Sequence, residues 1–334
     1  MKPRVVITQW VHPEVIDLLQ EHCEVVPNTT REPLSASELR RRTQNADAVM
    51  VFMPDTVDGT FLDAAPRLKI VAGALKGYDN FDVEACSQRG VWFTIVPDLL
   101  TVPTAELTIG LMIGLGRKMA AGDRMVRSDR FPGWRPVLYG TGLAGATAGI
   151  IGLGAVGSAL ARRLAAFDMT VLASDQRHYS RAETDSLGVT VVPFDDLLAS
   201  SDYVLPMVPL TPVTRHLVNT HTIRRMKRGV LLVNACRGSV VDELAVRDAL
   251  RSGHLGGYAA DVFEFEDWAL DDRLRSIPED LLLDEERTFF SPHIGSAVDT
   301  VRRDIAMEAA RNIIEAVSGR SPTGAVNSPA LASV

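Results

Sequence analysis

Residues 149–175 read GIIGLGAVGSALARRLAAFDMTVLASD, and this stretch predicts the fold. A short apolar strand at 149–151 leads into the turn Gly152-x-Gly154-x-x-Gly157. A helix follows, with apolar residues near the 3.6-residue period. A second strand then ends beside Asp175, which lies 23 residues after Gly152. This order of elements is typical of a βαβ unit that binds a dinucleotide.

Each part of this unit has its own physical role. The first glycine permits the tight turn, the second lets the backbone approach a pyrophosphate, and the third lets the helix pack on the strand. The helix N-terminus offers unpaired N–H groups to the phosphates. An acid at Asp175 binds the adenosine ribose, which predicts NAD as the cofactor. Because Arg177 follows and an arginine there can accommodate a 2′-phosphate, we also expect weaker use of NADP.

The composition excludes several classes of protein. A chain of 334 residues is long enough for about two domains, and its net charge of −7 argues against a nucleic-acid-binding surface. No apolar run approaches the length of a membrane span, and the N-terminus lacks a signal-peptide pattern. The three cysteines are unclustered, which fits a reducing compartment and does not suggest a metal site. We therefore expect a cytoplasmic protein with a small-molecule substrate, no metal, no nucleic acid and no membrane.

The rest of the chain alternates strand and helix patterns, which predicts an α/β fold with parallel sheets. The first hundred residues lack a glycine fingerprint and are predicted to form a separate, smaller doubly wound domain. From Pro103 to about Ser128 the pattern predicts one long helix with more apolar residues than a single domain needs to cover. This helix is expected to link two domains and to bury a face in a dimer. Further strands are predicted at 189–192, 203–205, 230–234, 258–260 and 288–290, and a last helix at 299–317.

Three polar side chains follow predicted strands, where ligands of parallel sheets bind. Arg237 follows the strand at 230–234, and its fixed charge and fork of donors suit an anionic substrate. Histidine is the side-chain type that can take or give a proton near neutral pH, which makes His293 the candidate acid/base. Glu266 can orient the imidazole and stabilise its charged form. Together with a dinucleotide site, these residues predict hydride transfer.

The motifs GLGAVG, VPLTPVTRHLVN, VNACRGSVVDE, AADVFEFE and SPHIGS resemble those of the NAD-dependent D-2-hydroxyacid dehydrogenases. The resemblance implies a Rossmann domain at 101–297 inserted in a flavodoxin-like substrate domain formed by 1–100 and 298–334. It also implies a homodimer built largely on the Rossmann domains. By the same resemblance, Arg237 anchors the substrate, His293 is the acid/base and Glu266 is its partner.

The resemblance also implies two sets of binding residues. The substrate set is Met53, Leu75, Lys76, Gly77, Trp134, Tyr139, Arg237, Ser296 and Arg302. The cofactor set is Lys76, Thr104, Gly152, Gly154, Ala155, Val156, Gly157, Asp175, Val208, Pro209, Thr214, Ala235, Cys236, Arg237, Asp261, His293 and Gly295.

The loop after the strand at 70 departs from the usual family pattern Gly-x-Gly-x-Asp, because it reads ALKGYDNFD and introduces Lys76. With VFMPD, PDLLTVPTAEL, GWRPVLYGTGL and EDWALDDR, the chain resembles the members of the family that oxidise phosphite to phosphate with NAD. Phosphite is a small dianion, so its site needs more positive charge than a carboxylate site, and Lys76, Arg237 and Arg302 would supply it. The expected reaction is hydride transfer from phosphorus, with water as nucleophile. His293 is the favoured base and Arg237 the alternative.

Two other functions are compatible with the motifs. The first is a D-2-hydroxyacid dehydrogenase acting on a small carboxylate, which would use the same arginine, glutamate and histidine. Lys76 is the residue that discriminates it from phosphite oxidation. The second is a dinucleotide-sensing corepressor on the same fold, which would need a peptide-docking cleft and disordered regulatory tails. The short tail and the full set of Arg237, Glu266 and His293 argue for an enzyme.

Overall fold

The computed structural model describes residues 2–329 and divides the chain into two units. One unit contains the residues up to Leu100 together with those from Ser296 onward, and the other is Thr101–Gly295. The second segment of the first unit therefore begins two residues before the predicted position 298.

The strands and helices alternate along the chain. The strands are β1 (Arg4–Ile7), β2 (Glu24–Val26), β3 (Ala48–Val51), β4 (Ile70–Gly73), β5 (Trp92–Thr94), β6 (Thr147–Ile151), β7 (Thr170–Ser174), β8 (Thr190–Val191), β9 (Tyr203–Pro206), β10 (Val230–Asn234), β11 (Leu255–Ala260) and β12 (Thr288–Phe290). The helices are α1 (Pro13–His22), α2 (Ala36–Thr43), α3 (Gly59–Asp63), α4 (Val83–Gln88), α5 (Thr101–Gly116), α6 (Met119–Arg127), α7 (Ala155–Ala165), α8 (Arg181–Leu187), α9 (Phe194–Ser200), α10 (Thr220–Arg225), α11 (Glu243–Arg251), α12 (Glu279–Leu283) and α13 (Asp299–Val317).

The first unit is a five-stranded parallel sheet with the order β2-β1-β3-β4-β5. This is the flavodoxin-like order of a doubly wound sheet. Helices α1 and α13 pack together on one face, where α13 contacts β3 and β4. The inner strands β1, β3 and β4 are almost entirely buried, as expected of a parallel sheet that is covered on both faces. The apolar side chains divide into one cluster on each face.

The second unit is a seven-stranded parallel sheet with the order β8-β7-β6-β9-β10-β11-β12. The first six strands follow the Rossmann order, in which the chain reverses direction between β6 and β9. Ligands of such sheets bind beyond the carboxyl ends of the strands at this reversal. The sheet therefore places the glycine turn after β6, and the loops after β9, β10 and β11, at its ligand-binding edge.

The prediction of one long helix at 103–128 is wrong. Helix α5 ends at Gly116, Lys118 adopts a left-handed conformation with φ of 53°, and α6 begins at Met119. A close backbone approach explains the end of α5, because the carbonyl of Gly116 accepts a hydrogen bond from Thr141 N at 2.8 Å. A Cβ on Gly140 would lie only 2.0 Å from the same carbonyl oxygen.

The predicted apolar face of this helix is also used differently. Leu111, Met112 and Leu115 are buried in the core of the second unit, where α5 packs on α7 and on the sheet. These side chains are therefore covered within one chain, and Met119 on α6 is the exposed one. The three-residue strands β2 and β5, at the two edges of the first sheet, were not predicted, whereas α13 has the predicted bounds.

Candidate active site

The three glycines of the turn after β6 have different surroundings. Gly152 has a φ of 98°, and a Cβ on it would lie 2.8 Å from the carbonyl oxygen of Met207. A Cβ on Gly157 would lie 2.1 Å from the carbonyl oxygen of Gly152. A Cβ on Gly154, by contrast, would meet nothing within 4 Å. Packing within the protein thus requires glycine at 152 and 157, while Gly154 leaves an open approach to the start of α7 where a pyrophosphate fits.

Helix α7 begins at Ala155, and its N-cap residue is Gly154, which has no side chain to cap the helix. The first N–H groups of the helix, from Ala155, Val156 and Gly157, therefore lack a side-chain cap and carry the positive end of the helix dipole. This is the arrangement that binds phosphate groups at helix N-termini.

Asp175 follows β7 and is bound to the glycine turn. Its Oδ2 accepts a hydrogen bond from Leu153 N at 2.6 Å, and its Oδ1 accepts one from Arg177 N at 2.9 Å. The guanidinium of Arg177 pairs with Glu183 and lies 4.7 Å from the centre of the Tyr179 ring. The carboxylate thus stands beside the dinucleotide turn, and the nearest arginine already has an acidic partner.

The loop after β9 packs on the same turn. Val208 Cγ1 lies 2.8 Å from the position of a Cβ on Gly152. Thr214 donates a hydrogen bond from Oγ1 to the carbonyl oxygen of Pro209 at 2.6 Å, which closes the loop on itself. The structure therefore brings Val208 of the predicted cofactor set directly to the glycine turn.

Arg237 is half-buried in the loop after β10 and is positioned by the chain around it. Asn234, fully buried at the end of β10, donates from Nδ2 to the carbonyl oxygen of Arg237 at 2.9 Å. Arg237 donates from Nη1 to the carbonyl oxygen of Cys236 at 2.8 Å. Ala235 is buried beside them, and burial raises the pKa of Cys236 to about 11, so its thiol stays protonated at neutral pH.

His293 and Glu266 form a pair. The imidazole Nδ1 lies 2.9 Å from Glu266 Oε2, and both side chains are half-buried. Because a carboxylate only accepts, Nδ1 carries the hydrogen, and Nε2 is left as the nitrogen that can exchange a proton with a substrate. The second carboxylate oxygen of Glu266 accepts from Phe263 N at 2.8 Å, which orients the carboxylate.

Asp261 holds the loop that carries His293. His293 has a φ of 52°, a conformation uncommon for residues other than glycine. Its N–H donates to the carbonyl oxygen of Asp261, and the Asp261 carboxylate accepts from Ile294 N and Gly295 N, each at 2.8 Å. Burial raises the pKa of Asp261. Thr104 of α5 borders this loop, since its Oγ1 would lie 3.3 Å from a Cβ on Gly295.

In the first unit, Lys76 and Gly77 follow β4 at its carboxyl end. The chain before them is fixed, because Ala74 N donates to the carbonyl oxygen of Val51 at 2.9 Å. Lys76 is half-buried. Leu75, predicted to bind substrate, has only 1% of its surface exposed, so its side chain belongs to the core.

Five other residues of the predicted substrate set lie in different surroundings. Met53 is half-buried against the core, and its carbonyl oxygen accepts from Asn80 Nδ2 at 2.9 Å. Ser296 is buried, and Arg302 lies half-buried in the first turns of α13. Trp134 and Tyr139 are 83% and 75% exposed in the loop between α6 and β6.

The prediction from sequence missed Asn234 and Ser291, which hydrogen-bond to the loops that carry the site residues. Asn234 organises the Arg237 loop, and Ser291 donates to the Asp261 carboxylate at 2.5 Å. The available signal was their place in the chain, because Asn234 is the last residue of β10 and Ser291 directly follows β12. In the part of the chain that the structure describes, no group of His, Cys, Asp or Glu has a metal-binding arrangement. Between residues 2 and 329, no helix has the length and apolar character to cross a bilayer.

Comparison with known proteins agrees with this geometry. Residues 109–295 match the family model described as D-isomer specific 2-hydroxyacid dehydrogenase, NAD binding domain. The chain belongs to this family. It is 36% identical over 332 residues to a glyoxylate reductase from Thermococcus onnurineus, covering 98% of this chain and 96% of that protein. The chain is thus an oxidoreductase of the D-2-hydroxyacid dehydrogenase family, and its second unit is an NAD-binding Rossmann domain.

Solved structures give the same fold. The TT0316 protein from Thermus thermophilus superposes with a TM-score of 0.88 at 32% identity, covering 97% of this chain and 100% of that one. An NADPH-dependent glyoxylate/hydroxypyruvate reductase from Sinorhizobium meliloti, solved with NADP and malonate, superposes with a TM-score of 0.81 at 28% identity and covers 98% and 97% of the two chains. NADP-dependent proteins therefore occur among the relatives of this NAD-binding chain.

Replacing Asp175 by alanine is expected to shift the cofactor preference from NAD toward NADP. The substitution removes the negative charge that repels a 2′-phosphate and an acceptor for the ribose hydroxyl. Steady-state kinetics with both cofactors measure the ratio of their kcat/KM values. Asp185→Ala, on exposed α8, is a matched control that should leave this ratio unchanged. A wild-type enzyme that uses NADP better than NAD would contradict the role of Asp175.

Proposed function

We propose that Arg237, Glu266 and His293 carry out the chemistry of this oxidoreductase on a small anionic substrate. The Arg237 guanidinium binds the anion through paired hydrogen bonds. His293 exchanges a proton through Nε2, and Glu266 stabilises the charged imidazole through Nδ1. When bound, NAD supplies the nicotinamide that accepts or returns a hydride.

For the substrate, we propose phosphite, and Lys76 is the observation that carries this proposal. The lysine is half-buried at the carboxyl end of β4, where the backbone before it is hydrogen-bonded to β3. A lysine that binds the anion in addition to Arg237 would favour a dianion over a monocarboxylate, because charge pairing is stronger in a partly desolvated site than in water. The resemblance of the surrounding motifs to phosphite-oxidising members supports the same substrate.

In this reaction His293 acts as the base. Water forms a new P–O bond, the P–H bond breaks, and its electron pair leaves with the hydrogen as hydride. The proton lost by the attacking water goes to Nε2 of His293, and the resulting imidazolium is stabilised by Glu266. Arg237 and Lys76 bind the oxygen atoms of the anion. The products of the reaction are phosphate and a reduced cofactor.

The second candidate is the reduction of a small 2-keto acid such as glyoxylate. The names of the curated relatives favour this candidate, and they support it better than they support phosphite oxidation. The same residues would serve it: Arg237 binds the carboxylate, and His293 gives its proton to the carbonyl oxygen as hydride reaches the carbon. The two reactions therefore differ in the anion and in the need for Lys76.

A direct assay separates the two candidates. The purified protein is mixed with NAD and phosphite, and separately with NAD and D-lactate or with NADH and glyoxylate, and absorbance of NADH is followed. Phosphite oxidation predicts a kcat/KM for phosphite far above those for the carboxylates. The reverse order would establish the 2-keto acid reaction, and no turnover of any of them would reject both.

Replacing Lys76 by alanine is expected to raise the KM for phosphite strongly, by about thirty-fold or more. Truncating one member of a desolvated charge pair costs at least about 2 kcal/mol. The affinity for NAD should change less, because the glycine turn and Asp175 provide its main contacts. Kinetics at saturating NAD and a separate NAD titration measure the two effects.

Lys69→Ala is the matched control for this experiment. Lys69 is exposed and directly precedes β4, at the opposite end of the strand from Lys76. Its loss should leave the KM for phosphite unchanged. A wild-type KM in Lys76→Ala would show that Lys76 is a solvated loop residue and would remove the charge argument for phosphite.

We also propose that two chains associate through the exposed apolar residues of the second unit. Val126 on α6 and Phe131, Trp134 and Tyr139 in the next loop are all more than half exposed. Such a concentration of exposed aromatic and aliphatic side chains is typical of an interaction surface. The homodimer and a cytoplasmic location, which the free cysteines favour, complete the proposal.

A further inference from the structure

Two buried glutamates join the loop of Arg237 to the loop of Glu266. Glu243 begins α11 and is fully buried, and Glu264 begins a 3₁₀ turn and is 3% exposed. Glu264 N donates to Glu243 Oε1 at 2.8 Å, and Glu243 N donates to Glu264 Oε1 at 2.9 Å. Each side chain thus caps the backbone of the other, and the two chain segments are linked reciprocally.

Other contacts hold the same two segments. A 3₁₀ turn, Gly238–Val240, follows Arg237, and Ser239 N donates to Asp267 Oδ2 at 2.6 Å. A Cβ on Gly238 would lie 1.9 Å from the carbonyl carbon of Phe263, so no side chain fits between the two turns at this position. His216 contacts both segments. Its backbone N–H donates to the carbonyl oxygen of Ser239, and its Nε2 lies 2.9 Å from Glu264 Oε2.

Reacting groups occupy both ends of this linkage. Arg237 directly precedes the first turn, and Glu266, at the end of the second, holds His293 at 2.9 Å. The position of the His293–Glu266 pair relative to the Arg237 backbone therefore depends on the contacts between the turns. An error of about 1 Å in such a position can lower a rate about a hundred-fold.

Stability alone gives little reason to bury these acids. Burial raises the pKa of Glu243 to about 8, and Glu264, Asp267 and Glu266 face it with further negative charge. Tyr258 and His216 are further titratable groups beside this cluster, and hydrogen bonding to Glu264 raises the pKa of His216. Apolar side chains at such positions usually cost a protein less than buried acids do. The acids are better explained by the geometry that they impose.

We propose that Glu243 and Glu264 are positioning residues, whose reciprocal hydrogen bonds hold the Arg237 loop against the Glu266 turn and so set the geometry between the anion-binding guanidinium and the His293–Glu266 pair. This inference rests on the proposed roles of Arg237, Glu266 and His293. It assigns no direct substrate contact to either glutamate.

Three variants test the proposal. Glu243→Ala leaves the buried N–H of Glu264 without its acceptor, whereas Glu243→Gln keeps an oxygen acceptor and mimics the protonated acid. Asp242→Ala is the matched control, because Asp242 caps the same helix through Leu244 N and Ala245 N. Glu243→Ala is expected to lower kcat/KM about 10–100-fold with the affinity for NADH unchanged. Glu243→Gln should restore most of the rate, and Asp242→Ala should lose stability but not rate.

A second readout does not depend on turnover. The imidazole proton shared by His293 and Glu266 is expected to give a downfield NMR resonance, assigned by its absence in His293→Ala. It should persist in the wild type, Glu243→Gln and Asp242→Ala, and be shifted or lost in Glu243→Ala. An unchanged resonance and rate in Glu243→Ala, or an equal loss in Asp242→Ala, would overturn the proposal. A wild-type protein that turns over neither substrate rejects the proposed function instead, and the resonance still decides the positioning role.

Discussion

Replacing His293 by alanine is expected to lower kcat by about 10²–10⁴-fold, the usual loss when a positioned acid/base is removed. Glu266 holds the imidazole at 2.9 Å, and the hydrogen bond from His293 N to the carbonyl oxygen of Asp261 holds the backbone that carries it. The orientation of the imidazole is therefore fixed before substrate binds. Steady-state kinetics over a range of pH measure the effect with whichever substrate the wild-type enzyme prefers.

Two further variants make this test specific. Glu266→Gln should be less impaired, because the amide oxygen still accepts from Nδ1, but the uncharged partner stabilises the imidazolium less. We therefore expect a weaker enzyme whose pH–rate profile differs from that of the wild type. His221→Ala, at an exposed position of α10, should behave as the wild type. A His293→Ala enzyme that keeps most of its activity across the pH range would exclude His293 as the acid/base.

The second large effect is expected at the glycine turn. Gly154→Ala should impair NADH binding, whereas Gly157→Ala should impair folding stability. A Cβ at 154 meets nothing within 4 Å, and the φ of −64° suits alanine, so the fold should be unchanged. The methyl group would instead occupy the approach of the pyrophosphate, and NADH affinity should fall strongly. A Cβ at 157 would lie 2.1 Å from the Gly152 carbonyl oxygen. Overpacking against backbone should cost about 3 kcal/mol or more of folding free energy.

Thermal unfolding and NADH titration of the two variants distinguish these effects. Gly154→Ala should unfold at the wild-type temperature and bind NADH weakly. Gly157→Ala should unfold at a temperature lower by about 6 °C or more, from about 2 °C for each kcal/mol in a chain of this size. Gly122→Ala is a suitable control, because it lies on α6 where a Cβ would meet only one side-chain atom, at 3.8 Å. Wild-type affinity for NADH in Gly154→Ala would contradict the placement of the pyrophosphate.

The local chemistry of the dinucleotide site could be predicted from sequence because it depends on residues close together in the chain. The spacing from Gly152 to Asp175 identified β6, α7 and β7, and the structure ties Asp175 to Leu153 N, within that same stretch. The family resemblance also predicted the pairing of His293 with Glu266, and His293 Nδ1 lies 2.9 Å from Glu266 Oε2. The substrate-binding role of Lys76 stays a prediction.

Errors arose where a distant part of the chain decides the outcome. The helical periodicity of the sequence continues through Gly116. However, the Gly116 carbonyl accepts a hydrogen bond from Thr141 N, and the loop at Gly140 packs against this carbonyl, so α5 ends there. Leu75 directly precedes the polar loop of Lys76, and only the tertiary packing shows that its side chain is buried in the core. The three-residue edge strands β2 and β5 were not predicted, although β12, which has the same length, was.

The sequence by itself determined the βαβ dinucleotide unit, the family and the residue types available for proton and anion chemistry, because motifs of short spacing and strand-end positions carry that information. Only the tertiary structure decided how Asp261 holds His293 in a left-handed conformation and how Glu243 and Glu264 cap each other's backbone. The members of each of these pairs lie 21 or more residues apart. Their contact follows from the parallel order of β10, β11 and β12, which brings the ends of separate strands to one edge of the sheet.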